Sequence, residues 1–130
     1  MLDLFSPIFS AEDNLSLCSI PFEYEVIHVL TSLSSSKAPS SDGFTTLFYK
    51  KYWSSVGEDV LAYVSNFFHN KHLLREQSHT FIALVPKKSG SHIVHQFRPI
   101  SLYNIVYKII AKILANRLKV VLPKIISPTN

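Results

Sequence analysis

Apolar residues recur at helical spacing along most of this chain. Val26, Ile27, Leu30 and Leu33 fall on one face and predict an amphipathic helix over residues 22–33. Pro21 stands where a helix can start, and Glu23 and Glu25 suit its positive N-terminal end. A helix over about residues 44–53 offers Leu47, Phe48, Tyr52 and Trp53 for burial, with Asp42 or Ser41 as its cap. Ser55 or Gly57 then caps a further helix to about residue 70, carrying Val60, Leu61, Val64, Phe67 and Phe68 inward. At residues 80–86 the pattern turns short, β-branched and apolar, ending at Pro86, and reads as a strand. A polar turn over residues 87–92 leads to a second strand over 94–102, in which Pro99 cannot donate to a ladder. The widest stripe is the last: Ile105, Val106, Ile109, Ile110, Ile113, Leu114, Val121 and Leu122 predict a helix over residues 103–122, stopped by Pro123. Residues 1–21 are poorly patterned, with one short helical turn at 11–15. The fold class is therefore α+β, mainly helical with one β-hairpin.

One residue breaks the last stripe. At about 100° per residue Arg117 points between Ile110 and Ile113. A guanidinium there must snorkel out or find a partner. No acid is near in sequence, so either an upstream acid packs back on it or its partner lies outside the chain. Lys108, Lys112 and Lys119 fall within about 40° of each other on the opposite side and form a basic ridge.

Charge sharpens the picture. The 130 residues carry 13 Lys and Arg against 9 Asp and Glu, a net +4. Residues 1–36 hold five of the acids and no Lys or Arg, so the remainder stands at +9. After Glu76 no acidic side chain follows, while eight basic ones do. Such a segment meets acidic surface elsewhere, a polyanion such as nucleic acid, or only water. The same count bears on catalysis. Two-metal phosphoryl or nucleotidyl transfer needs carboxylates that hold two ions about 4 Å apart, and the sequence has no Asp-Asp or Asp-x-Asp pair.

Other chemistry is weakly signalled. The lone Cys18 forms no intrachain disulfide and has no evident activating base. His79, His92 and His95 lack the spacing and the additional ligands of a metal site. No Gly-x-Ser-x-Gly elbow is present. No apolar run approaches the roughly 20 residues that span a bilayer, and residues 1–10 lack a basic leader, so a soluble intracellular protein with no membrane partner is expected. Lys87, Lys88 and Arg98 sit on the arms and tip of the predicted hairpin. Cations so placed either clamp a triphosphate or strand backbone or simply protect a sheet edge.

Three blocks in order carry a resemblance. They are Lys37-Ala38-Pro39-Ser40-Ser41-Asp42-Gly43-Phe44, then Leu84-Val85-Pro86-Lys87-Lys88, then the run from Phe97-Arg98-Pro99-Ile100-Ser101-Leu102-Tyr103-Asn104 to Asn116-Arg117-Leu118. Together they resemble the reverse transcriptase domain of non-long-terminal-repeat (LINE-type) retrotransposons, most closely those common in plant genomes. The resemblance runs from about residue 22 to residue 129. It implies that residues 22–130 form part of that domain, the fingers and the start of the palm, behind the N-terminal segment 1–21. It implies that Lys37 and Asp42 in the first loop, with Lys87, Lys88 and Arg98 on the hairpin, hold template and incoming nucleotide. The family's partners are an RNA template, a DNA primer and deoxynucleoside triphosphates, and its metal is Mg2+. Its catalytic aspartates belong to later blocks, so no catalytic residue and no cofactor are assigned within this chain. The family's first loop usually reads Lys-Ala-Pro-Gly-Pro-Asp-Gly. Here Ser40 and Ser41 stand for the Gly and Pro, and a positive φ at position 40 would cost serine about 1 kcal/mol or more.

The leading expectation is thus a reverse transcriptase fragment that does not polymerise by itself. Two others stand beside it: a small basic nucleic-acid-binding module, and a non-functional transposon relic. The relic would leave the stripe around Ile109 and Ile113 uncovered.

Overall fold

The computed structural model describes residues 9–35, 39–40, 42–73, 75 and 79–126. Among them the chain runs through helices α1 (Ala11–Cys18), α2 (Glu23–Ser32), α3 (Thr46–Lys51) and α4 (Trp53–Asn70). Strands β1 (Phe81–Pro86) and β2 (Phe97–Leu102) and helix α5 (Ile105–Val121) follow. The α+β class holds: helices predominate and the strands form one antiparallel hairpin.

The core is where the three longest apolar stripes meet. Val26, Val29 and Leu30 of α2 and Val60, Val64 and Phe68 of α4 pack with Ile105, Val106, Ile109, Ile110 and Ile113 of α5. Ile109 and Ile113 are fully buried, so the expected bare stripe is in fact covered by the chain's own upstream helices. Local chemistry starts the elements. Ser10 and Asp13 bond reciprocally across the first turn of α1, the Ser10 hydroxyl accepting from Asp13 N at 3.0 Å and the Asp13 carboxylate from Ser10 N at 3.1 Å. The Asn104 side chain accepts from Val106 N at 2.9 Å and opens α5.

Several boundaries differ from expectation. The Thr45 hydroxyl, not Asp42 or Ser41, caps α3, accepting from Phe48 N at 3.3 Å. That start turns Thr46, Tyr49 and Trp53 inward and leaves Leu47 and Tyr52 exposed. Helix α4 begins at Trp53 rather than after Ser55 or Gly57, and Gly57 lies within it, beneath the indole. A Cβ there would sit 2.8 Å from Trp53 Cε2, so the glycine is a packing residue and not a break. Residues 94–96 form a 3-10 turn, not strand, because the Gln96 side chain accepts from His92 N and Ile93 N and curls the segment.

The hairpin pairs Phe81 with Leu102 through Pro86 with Phe97. It projects apolar side chains to both faces, and neither face is covered: Phe81 is 61% and Ile82 66% exposed. A two-stranded hairpin alone is marginal in water.

Arg117 is answered from upstream. Its Nε and Nη2 donate to the two carboxylate oxygens of Glu25 at 2.9 and 2.8 Å. Its Nη1 donates to Leu17 O at 3.2 Å and Ser19 O at 2.6 Å, and its Cζ lies 4.9 Å from the Phe68 ring centre. One side chain of α5 thus ties down α2, the end of α1 and the end of α4. Two lysines reinforce the attachment of α1, Lys71 donating to Cys18 O at 3.1 Å and Lys124 to Asp13 at 2.6 Å.

The Arg117 side chain is only 11% exposed, so removing it strands the Glu25 carboxylate and two carbonyls. Arg117→Met is expected to lower unfolding stability by about 2–4 kcal/mol. Leu15→Ser on the exposed face of α1 should stay within about 0.5 kcal/mol. Urea denaturation followed by circular dichroism checks both, and an Arg117→Met midpoint equal to that of Leu15→Ser would refute the assignment.

Candidate nucleotide and nucleic-acid interface

Three groups of sequence-predicted residues fall in different places. The first is the loop before α3. Lys37 lies outside the described residues. Asp42 folds the loop on itself: one oxygen accepts from Phe44 N at 3.0 Å and the other from the Tyr49 hydroxyl at 3.3 Å. Ser40 N donates to Phe44 O and Gly43 N to Ser40 O, both at 2.9 Å. The positive φ, 82°, falls on Gly43 and not on Ser40, so the serine at position 40 carries no backbone strain. Its hydroxyl is nevertheless costly. Ser40 is 4% exposed and its Oγ has no hydrogen-bond partner among the described residues. Burial, and then the adjacent Asp42 carboxylate, push the Tyr49 phenol up to about 12. Asp42 therefore acts in this structure as an organiser of the loop.

The second group is the hairpin. Antiparallel pairing puts Arg98 opposite Val85 and Lys87 opposite Gln96, so Lys87 and Arg98 are diagonal neighbours on one face. Lys87 is partly committed: its backbone N–H donates to Gln96 O at 2.8 Å and its ammonium to His95 O at 2.8 Å. Lys88 begins the tip, where Ser91 Oγ donates to Lys88 O at 2.8 Å and Gly90 turns with φ 78°. Lys88 and Arg98 are exposed, and their side chains have no hydrogen-bond or ion-pair partner among the described residues. The hairpin is thus a platform with an unanswered guanidinium on one face and two lysines at its tip. A guanidinium fork of this kind matches phosphate oxygens in two-point geometry.

The third group is the ridge on α5. Lys108 and Lys112 line a cavity of about 450 Å³ against the end of α2 and the start of α3, while Lys119 borders a neighbouring cavity with His28 and Asn116. The three lysines of the expected ridge thus border two hollows along α5. Among the described residues no cluster of three or more His, Cys, Asp or Glu side chains could hold a metal ion. The residues described do not form a site for the Mg2+ that the resemblance implies for the family's enzymes.

The structure also uses residues that the sequence did not single out. Lys50 Nζ donates to Thr31 O, Leu33 O and Ser35 Oγ at 3.1, 2.7 and 3.1 Å, closing the C-terminus of α2. Tyr103 and Tyr107 stack with ring centres 4.8 Å apart and planes at 12°. Their i, i+4 spacing was the available signal.

No protein-family model matches the chain. Over 104 residues, 80% of its length, it is 32% identical to part of the transposon TX1 uncharacterized 149 kDa protein of Xenopus laevis. The chain spans 8% of that protein. The likeness relates it to a transposon protein.

Two expectations follow from the loop. Ser40→Ala removes an unpaired buried hydroxyl and should raise stability by about 1 kcal/mol, whereas Gly43→Ala, forced to a positive φ, should lower it by about 1 kcal/mol. Opposite signs in thermal melts check the pair. Tyr49 titrates above its ordinary value of 10.0, at about 12, so the unfolded chain ionises first as pH rises. Its stabilising contribution is whole below pH 10.0 and is lost as pH climbs through about 12. Ultraviolet titration of phenolate should show one late-ionising tyrosine that disappears in Tyr49→Phe.

Proposed function

We propose that this chain is the fingers and early palm of a non-long-terminal-repeat retrotransposon reverse transcriptase, of the kind common in plant genomes. In that reading its parent copies RNA into DNA, and this segment positions template and incoming nucleotide rather than carrying out the transfer. The observation that carries the reading is the hairpin: Arg98 and Lys87 share one face, Lys88 stands at the tip, and Arg98 is free to bind. It is supported by the relation to a transposon protein and by the basic balance of everything after residue 36.

The physical role of Arg98 would be electrostatic and geometric. A triphosphate that approaches this face meets a two-point donor with no internal competitor, beside an ammonium already held in place by His95 O. In that reading the catalytic carboxylates belong to later blocks, and three of the described carboxylates are already engaged. Glu25 holds Arg117, Asp13 holds Lys124 and Asp42 holds its own loop.

Reading the frame beyond the codon for Asn130 is the direct test. The expectation is an Asp-bearing strand and a Tyr-Ala-Asp-Asp-like turn, and an expressed protein that extends a DNA primer on an RNA template in Mg2+. In that protein Arg98→Ala should raise the KM for deoxynucleoside triphosphate at least about tenfold, with a smaller change in template affinity. A frame without such a turn, or an Arg98→Ala enzyme with unchanged KM, would overturn the reading.

A further inference from the structure

The cavity of about 450 Å³ between α5, the end of α2 and the start of α3 has the size of a small-molecule site, which runs from about 300 to 1,000 Å³. Its lining is mostly apolar. Tyr103 and Tyr107 contribute a nearly parallel ring pair, Leu33 comes from the end of α2, and Ala111 keeps the α5 side low. Charge enters at one border only, from Lys108 and Lys112. Both lysines are half-buried, so their stems are committed to the hollow while their ammonium groups reach for water. They stand one helical turn apart, where like charges repel. No carboxylate lines the cavity among the described residues, and neither lysine side chain has a hydrogen-bond or ion-pair partner there.

We propose that this hollow is a binding site for a small planar carboxylate, an aromatic body with one anionic group. The body would lie against the tyrosine rings, Leu33 and Ala111, and the carboxylate would bridge Lys108 and Lys112. Charge complementarity sets the sign of the ligand, because a single anion relieves the repulsion of both lysines and gives each a charge-assisted partner. Size and lining set its class. A helical peptide lays an apolar stripe of two or more turns into a long trough, and this hollow is short. A nucleic-acid strand carries a charge at every residue, whereas this hollow has one ammonium pair and mostly apolar walls. The site lies on different elements from the hairpin. It needs neither Arg98 nor any residue beyond the chain, so it stands or falls separately from the polymerase reading.

The test is calorimetric titration of the full chain with three ligands of one shape: 2-naphthoate, the neutral 2-naphthamide and the cationic 2-naphthylmethylamine. Circular dichroism confirms that each variant is folded. Naphthoate should bind at least about fivefold tighter than the amide, and the amine weakest. Lys108→Gln with Lys112→Gln should bring naphthoate down to the level of the amide and leave the amide within about twofold of its parent value. Ala111→Leu keeps a good helix former but fills the floor, and should weaken naphthoate and amide alike by at least about tenfold. Arg98→Gln should change none of these. The proposal is overturned by no saturable binding at millimolar naphthoate, by equal binding of naphthoate and amide, by a charge preference that survives the double lysine variant, by unchanged binding in Ala111→Leu, or by an oligo(dT) strand that binds tighter and displaces the naphthoate.

Discussion

A single guanidinium sets the arrangement of the helices. Arg117 projects from the apolar side of α5, where an unpaired charge would be expelled, and four of its N–H bonds end on Glu25, Leu17 and Ser19. The two-point contact with Glu25 orients α2 along α5, and the two carbonyl contacts hold the turn that joins α1 to α2. The Phe68 ring beneath the guanidinium brings in the last turn of α4. Helix α1 buries no residue of its own. It stays in place through Arg117, Lys71 and Lys124, all of which address its carbonyls or its Asp13 carboxylate. Cations at a helix C-terminus meet the negative end of its dipole, which is why so polar an attachment works. The Asp13 carboxyl is held below the usual carboxylate range first by its bond from Lys124 and then by those from Ser10.

This arrangement sorts the positive charge. Of the basic residues, Arg117 is spent on the core, Lys50 and Lys71 close helix ends, and Lys124 anchors α1. Arg98, Lys88, Lys108 and Lys112 are left without partners among the described residues, in two separate places, one on the hairpin and one over the groove. With Lys119 at the second hollow, the unanswered charge lies on the hairpin and along one side of α5. The hairpin leaves apolar side chains bare on both faces.

Much of this was legible in the chain, though not evenly. The helices with long stripes, α2, α4 and α5, appear where the 3.6-residue period places them, because burying such a stripe is the strongest local demand. The strand at Phe81–Pro86 was equally plain. Misplaced boundaries came from ambiguity among several polar cap candidates. Asp42, Ser41 and Thr45 all have capping side chains, and only the fold of the 40–44 loop decides that Asp42 bonds to Phe44 N and leaves the cap to Thr45. Gly57 reads as a break until Trp53 is seen to occupy the space a side chain would need. Of the candidate site, the hairpin cations and the line of lysines on α5 followed from spacing. The groove did not, since Leu33 and Thr46 reach it from distant positions.

The sequence by itself determined the periodic elements, the α+β class, the hairpin with its basic tip, and the fact that Arg117 required an answer. Those properties depend on residues within a few positions of each other, where helix and strand geometry dictate who meets whom. Only the tertiary structure decided that Glu25, 92 residues upstream, supplies that answer, and that α2 and α4 cover the stripe of α5. It also decided that Lys87 is tied to His95 while Arg98 stays free. The Arg117–Glu25 pair and the covering of the α5 stripe are settled by which helices pack together. That choice depends on the summed burial and charge pairing of remote segments, which no local spacing encodes.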